Sequence, residues 1–280
     1  MAPIPRWMQP LEVPECPPGW RTGPPDFVGV GAQRCGTSWW YRGTMRAHPG
    51  VVRVAKPGKE LHYFDRFWAG APPTDFVERY HAMFPRPEGA ITGEWTPRYM
   101  VDYWSMRLLR EAAPDARLLI MLRDPIERLR SGIQRERMLA DDAGTPFELS
   151  HMSEAVYRGL YHEQVRGVLE LYPRERVLVL QFERCLADPF AEMRRTQEFL
   201  GLEPLDEVPD RLRHHKRPPG TKPELSAARV DELRRRFRDD VARLAGLCPE
   251  IDLGLWPNFA DVEPTAPDAV VTAGATSPVP

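Results

Sequence analysis

Three short segments hold the residues most able to do chemistry. The first, Phe27-Val-Gly-Val-Gly-Ala-Gln-Arg-Cys-Gly-Thr-Ser-Trp39, is an apolar run that passes through a glycine-punctuated loop into an amphipathic stretch. A strand, loop and helix of this form aim backbone N–H groups and a helix N-terminus at one point, an anion site whose natural occupant is a phosphate. Written as a pattern it is Gly31, four residues, Gly36, then Thr37-Ser38. That nearly matches the nucleotide P-loop, but Thr37 stands where the P-loop lysine belongs, so a γ-phosphate lacks its main charge partner. Arg34 is the one cation inside the loop able to replace it. Taken alone, the same residues also suit an ordinary tight βα turn.

The second segment is Arg117-Leu-Leu-Ile-Met-Leu122 followed by Arg123-Asp124-Pro125, with Ser131 two turns into the next helix. An arginine at the carboxyl end of a strand and a serine on the following helix can both reach a phosphate at the sheet edge, where α/β proteins bind ligands. The third, Lys56-Pro-Gly-Lys-Glu-Leu-His-Tyr-Phe-Asp65, sets Glu60, His62 and Asp65 at near-alternating positions beside Lys59. On an extended segment Glu60 and His62 point to the same side, as a base and its orienting partner would, and Lys59 or Arg34 can absorb charge on a leaving phosphate. A basic, turn-rich stretch, His214-His-Lys-Arg-Pro-Pro-Gly-Thr-Lys222, precedes the last long helix.

Together these segments resemble the sulfotransferases that use 3′-phosphoadenosine 5′-phosphosulfate (PAPS), and within them the heparan sulfate branch. The loop Gly31-Ala-Gln-Arg-Cys-Gly-Thr-Ser resembles that family's 5′-phosphosulfate loop, with Arg34 where the branch usually has lysine. A guanidinium is a fork and an ammonium a point charge, so charge is kept while the contact geometry differs. Arg-Asp-Pro with a serine eight residues after the arginine resembles the 3′-phosphate motif, and Lys59 to Asp65 resembles Lys-Glu-x-His-Phe-Phe-Asp, with Tyr63 for the first Phe. The resemblance implies donor binding by Gln33, Arg34, Cys35, Gly36, Thr37, Ser38, Trp39, Arg123 and Ser131, and, in the 214–222 loop, by Lys216, Arg217, Gly220 and Thr221. It implies Glu60 as the base, with His62 in reserve, Arg34 and Lys59 as catalytic cations, and His62 and Asp65 beside the acceptor. Gly93-Glu94-Trp95-Thr96-Pro97-Arg98-Tyr99 resembles Glu-Lys-Thr/Ser-Pro-x-Tyr with Trp95 in place of an acceptor-binding lysine. An aromatic ring there suits a less anionic acceptor than heparan sulfate, stacked on a sugar face, an aryl group or a lipid. Gly159-Leu-Tyr-His162, Tyr172 to Glu183, Asp188-Pro189 and Phe199-Leu-Gly-Leu202 follow in the family's order, so the resemblance runs from about Phe27 to Trp256.

The elements that must position these groups alternate between short apolar and longer amphipathic runs, the rhythm of a parallel sheet. Strands are expected at Phe27 to Gly31, Ala90 to Gly93, Arg117 to Leu122 and Arg176 to Gln181. Helices are expected at Thr37 to Ala47, Tyr103 to Ala112, Ile126 to Met138, His151 to Tyr172, Pro189 to Leu200 and Ser226 to Ala245. The expected fold is a P-loop-type, three-layer α/β domain over residues 26–258. A Pro-rich extension (1–25, eight prolines) precedes it and a disordered tail (259–280) follows.

Composition removes several classes. A net charge of −2 provides no global field for nucleic acid or an anionic membrane. No run of about 18 apolar residues spans a membrane, and the proline-rich start lacks the pattern of a signal peptide. Cys16, Cys35, Cys185 and Cys248 form no CxxC pair, so neither a disulfide framework nor a metal site is expected and the reducing cytoplasm is the expected compartment. Of 38 basic residues only Lys56, Lys59, Lys216 and Lys222 are lysine, which accords with a GC-rich bacterial genome. The expected partner is a small-molecule, glycolipid or natural-product acceptor, and a symmetric dimer is the common oligomeric form for such an enzyme. Two rival readings stay open: a P-loop kinase or NTPase, and a non-catalytic binder of PAPS or of its product.

Overall fold

The computed structural model describes residues 10–53, 59–144, 146, 150–215 and 222–266. Its sheet is built from five strands, β1 (Phe27–Gly31), β2 (Val51–Val52), β3 (Ile91–Trp95), β4 (Arg117–Leu122) and β5 (Val177–Gln181). They pair in the order β2-β3-β1-β4-β5, every pairing parallel. Every residue of β1 and β5 is buried, which is why these strands read as unbroken apolar runs instead of alternating ones. Between and after the strands run the helices α1 (Thr37–Thr44), α2 (Phe76–His81), α3 (Tyr103–Ala112), α4 (Pro125–Ala143), α5 (Ser150–Tyr157) and α6 (Tyr161–Leu171). The series continues with α7 (Phe182–Ala187), α8 (Pro189–Phe199), α9 (Asp210–Arg213) and α10 (Ala227–Leu247). These helices flank the sheet, giving the expected three-layer α/β architecture. From β1 the chain goes to β2 and β3 on one side and later crosses to β4 and β5 on the other. The carboxyl ends of β1 and β4 therefore border the crevice where strand order reverses, the usual ligand position in an open α/β sheet.

Besides β2, α2, α7 and α9, which were not expected, three features depart from the sequence reading. The helix expected over His151 to Tyr172 is two helices, α5 and α6, because the Asp240 carboxylate of α10 accepts from Tyr161 N at 2.7 Å and His162 N at 3.1 Å and so starts a new helix there. The tail expected from residue 259 is packed as far as the described residues go. Phe259 and Val262 are buried, Asp261 pairs with Arg234 and Arg238, and Thr265 N donates to Ala242 O. Three apolar residues spaced by three, Trp256, Phe259 and Val262, make this ridge, a signal outweighed in the sequence by Ala, Thr and Pro content. The third departure is that β3 begins and ends later than expected, which draws Glu94 and Trp95 into the sheet. Among the described residues, no helix is long and apolar enough to cross a membrane.

Candidate active site

The loop after β1 turns through two left-handed residues, Arg34 (φ 69°) and Gly36 (φ 89°). Gly36 is the N-cap of α1, and a Cβ there would lie 2.5 Å from the Phe182 ring, so both conformation and space demand glycine. No side chain caps α1, and an open cleft at its N-terminus is lined by Gln33, Arg34, Gly36, Thr37, Ser38 and Trp39. Cys35 is apart from them. Its thiol is buried against Gln33 O and Tyr161 Oη, its N–H turns back toward Ala32 O, and burial pushes its pKa up to about 11. Cys35 therefore shapes the loop from behind and does not line the cleft.

At the far side of the same cleft stand Arg123 and Ser131. Asp124 caps α4 by accepting from Ile126 N (2.9 Å) and Glu127 N (3.2 Å), with Pro125 at the first helical position, and this capped turn fixes Arg123 at the sheet edge. The Arg123 guanidinium lies 4.6 Å over the Phe182 ring, and its buried Nε has no hydrogen-bond partner. Arg34 Nη2 donates to Ser131 Oγ at 3.3 Å, which joins the two sequence segments into one site. Burial, with Arg135 and Arg123 close by, lowers the proton affinity of Arg34. That concentration of arginines, only partly offset by Glu136 and Glu127, favours a polyanionic ligand.

Further groups complete this half of the cleft. Trp39, Phe182 and His215 meet edge to face, with ring centroids 5.1 to 6.0 Å apart, and form an aromatic box beside the phosphate loop. Glu127 pairs with Arg130 and Lys222, each at 2.7 Å, and lies 3.7 Å from Arg123. Arg130 also holds Pro223 O, so the end of the basic loop is tied to α4. Lys216, Arg217, Gly220 and Thr221 lie outside the described residues, while His214, His215 and Lys222 line the cleft. Behind Arg123, Glu183 accepts from Asp124 N and Trp256 Nε1, and burial pushes its carboxyl up to about 7. Sequence reading assigned no role to Glu127, Arg130, Phe182 or Glu183, and placed Lys222 only as the end of the basic loop. The only available signal was their place within or beside the matched segments.

The third segment reaches the same cleft through Glu60. It is not extended as expected. Glu60 (φ 62°) and His62 (φ 52°) are both left-handed, and it is this turn that brings their side chains together, with His62 Nε2 4.0 Å from Glu60 Oε2. Lys59 Nζ sits 2.5 Å from Glu60 Oε1, and burial lowers the lysine's proton affinity against the pull of that carboxylate. His62 Nδ1 meets Asp65 Oδ2 at 2.6 Å. The Asp65 side chain is only 2% exposed, so it orients His62 from behind and does not touch an acceptor.

Trp95 also corrects the sequence reading. It is fully buried, with Nε1 donating to Gly31 O at 3.1 Å and its indole filling the place a Cβ on Gly29 would take. A ring locked in that position packs β3 against β1 and cannot stack on an acceptor. The cleft as a whole, about 1440 Å³ in volume, can hold a nucleotide and a second molecule together.

Comparison with known proteins agrees with this architecture. Heparan sulfate glucosamine 3-O-sulfotransferase 6 of Mus musculus is 31% identical over 223 residues, covering 72% of this chain and 62% of its own. The Homo sapiens protein of the same name is 32% identical over 197 residues, covering 66% and 54%. The chain thus spans less than two thirds of the length of these relatives. Among solved structures, a sulfotransferase from Alicyclobacillus acidocaldarius superposes with a TM-score of 0.63 at 27% identity, covering 81% of this chain and 96% of its own. One from Mycobacterium avium, 15% identical with a TM-score of 0.55 over 78% and 76% of the two chains, shares the fold. The sulfotransferase domain model matches residues 24–223, most of the chain, and the chain belongs to that family, whose members transfer sulfate.

Proposed function

We propose that the protein transfers a sulfuryl group from PAPS to a hydroxyl of a small-molecule, glycolipid or natural-product acceptor, in a bacterial cytoplasm. The observation that carries this reading is the Arg34–Ser131 bond within one cleft, which joins the phosphate loop to the Arg123 corner. A donor with phosphates at both ends of its ribose needs two linked anion sites, and Arg123, with a buried and unpartnered Nε, supports the 3′-phosphate position. The 5′-phosphosulfate suits the N-terminus of α1 and Arg34, and the Trp39–Phe182–His215 box offers the adenine a stacking surface.

In this mechanism the acceptor oxygen attacks sulfur in line. Its proton passes to the Glu60 carboxylate as the new O–S bond forms. The bond from sulfur to the bridging phosphate oxygen breaks, leaving 3′-phosphoadenosine 5′-phosphate (PAP). Arg34 and the α1 N–H groups receive the charge that develops on the 5′-phosphate, while Lys59 holds Glu60 in place. His62, with Nδ1 fixed on Asp65, turns Nε2 toward Glu60 and is the reserve base. Free thiols at Cys16, Cys35, Cys185 and Cys248 accord with a reducing compartment.

A kinase would use the aspartate after β4 for a metal, but Asp124 is fully buried and already accepts from Ile126 N, Glu127 N, Asn258 N and Asn258 Nδ2. The first experiment is thermal stabilisation by PAP, by adenosine 5′-phosphate and by ATP with magnesium, followed by PAPS turnover on aryl, glycolipid and heparan acceptors. A shift specific to PAP is expected. Stabilisation by ATP with magnesium and not by PAP would replace this reading with the kinase one, and PAP binding without turnover on any acceptor would leave a non-catalytic binder.

A further inference from the structure

We propose that Glu94 is a positioning residue for the proton-transfer step: a buried carboxylate that gathers the backbone N–H groups of Leu61, His62 and Tyr63 and thereby sets the direction of the Glu60 and His62 side chains. The proposal rests on the reading that segment 59–65 carries that step. Two left-handed non-glycine residues in one short turn are strained, and such a turn persists only where its surroundings over-determine it. The cause of this turn lies outside the segment, on β3.

Glu94 is completely buried. Its Oε2 accepts from Leu61 N at 3.3 Å and from Thr96 Oγ1 at 2.5 Å, and its Oε1 accepts from Tyr99 Oη at 2.9 Å and Tyr80 Oη at 3.3 Å. Two of these hydroxyls carry the contact one step further. Thr96 Oγ1 accepts from His62 N at 3.3 Å, and Tyr99 Oη accepts from Tyr63 N at 2.9 Å. Three consecutive N–H groups therefore end on one carboxylate, directly or through a single hydroxyl. The N–H before them, on Glu60, donates to Trp95 O at 3.2 Å.

Successive N–H groups converging on an anion form a nest. Here Leu61 N reaches Glu94 directly while His62 N and Tyr63 N reach it through the Thr96 and Tyr99 hydroxyls, so the backbone donors of 61–63 face inward. Four polar groups, Leu61 N and the hydroxyls of Thr96, Tyr99 and Tyr80, hold the two carboxyl oxygens in place. Burial holds the Glu94 carboxyl above the ordinary carboxylate range, although Thr96, Tyr99 and Leu61 pull the other way. With the backbone so anchored, the Glu60 side chain turns to the cleft and the His62 ring sits where Asp65 locks it. Glu94 acts through this backbone and touches no substrate.

The test is amide hydrogen exchange on the full chain, compared among the parent protein, Glu94→Gln, Thr96→Val and Thr96→Ser. An amide in place of the carboxylate sets an NH2 against two donors. Exchange at Leu61, His62 and Tyr63 is expected to rise about tenfold or more in Glu94→Gln, with β4 amides and the PAP-induced melting shift unchanged. Thr96→Val accelerates His62 and Thr96→Ser restores it. Turnover of PAPS, with water as the acceptor, falls about a hundredfold in kcat in Glu94→Gln while KM for PAPS holds. Parent-like exchange and kcat in a folded Glu94→Gln overturn the proposal. If that variant does not fold, equal His62 exchange in the two Thr96 variants overturns it instead. The base assignment is judged separately: an active Glu60→Gln with faster 61–63 exchange in Glu94→Gln removes the base and keeps the positioning role, and the opposite pair of results does the reverse.

Discussion

Replacing Arg123 with methionine isolates the 3′-phosphate contact. The arginine side chain is 12% exposed, its Nε is buried without a partner, and its closest carboxylate, on Glu127, stands at 3.7 Å. The group is therefore already desolvated and holds donors in reserve, the state in which a charged hydrogen bond to an anion contributes most. Methionine keeps an apolar stem against Phe182, and Glu127 retains Arg130 and Lys222, so little of the fold depends on the guanidinium. Losing one such charged contact costs about 2–3 kcal/mol, or about 30- to 150-fold in Kd. Calorimetric titration with PAP and with adenosine 5′-phosphate separates this loss from any general damage. At a PAP concentration 100 times the parent Kd, stabilisation of about 2.7 kcal/mol should fall below about 1 kcal/mol in Arg123→Met. Affinity for adenosine 5′-phosphate should stay at the parent value, so that discrimination between the two nucleotides collapses. An equal loss for both nucleotides, or none for PAP, refutes the assignment.

Other expectations are shorter. Glu60→Gln should bind PAP as the parent does and lose about 10²- to 10⁴-fold in turnover, and full activity would remove Glu60 as the base. Glu183, pushed up to about 7 by burial, keeps its proton in the folded state where the unfolded chain has released it. Its contribution therefore makes the fold lose stability as pH rises from the ordinary carboxylate range through about 7. Melting temperatures of parent and Glu183→Gln across that range should converge at low pH and separate at high pH in favour of the variant, and a constant difference sinks the assignment. Trp95→Ala removes a fully buried indole and its bond to Gly31 O, so urea denaturation should show about 3–5 kcal/mol of lost stability. Full stability with a changed acceptor KM would return Trp95 to the acceptor side.

The architecture of the proposed donor half was legible because it is made largely by local structure. Gly31, Gly36 and Thr37 specify a strand–loop–helix whose N–H groups point at one spot whatever surrounds it, and Asp124-Pro125 specifies the capped turn that places Arg123. Even so, the sequence could not show that Arg34 would meet Ser131, since 97 residues separate them and only the adjacency of β1 and β4 brings them together. The aromatic box was hidden for the same reason. Trp39 follows β1, Phe182 follows β5, and His215 arrives from a loop.

On the side proposed to be catalytic, the proximity of Glu60 and His62 was legible and the geometry that produces it was not. Glu60 and His62 do approach one another, but through left-handed turns that a period-two argument cannot produce. Those turns depend on a carboxylate 34 residues away, reached through Thr96 and Tyr99, so no local pattern around Glu60 could reveal them. Position 95 shows the complementary error. A residue was read by its chemistry, as a ring for stacking, whereas a shift of β3 along the chain turned that ring into the core beneath Gly31. Burial decides what a side chain can do before its chemistry does. A motif match therefore transfers a function only for residues that keep the exposure it needs, as Glu60 does in lining the cleft and Trp95 does not.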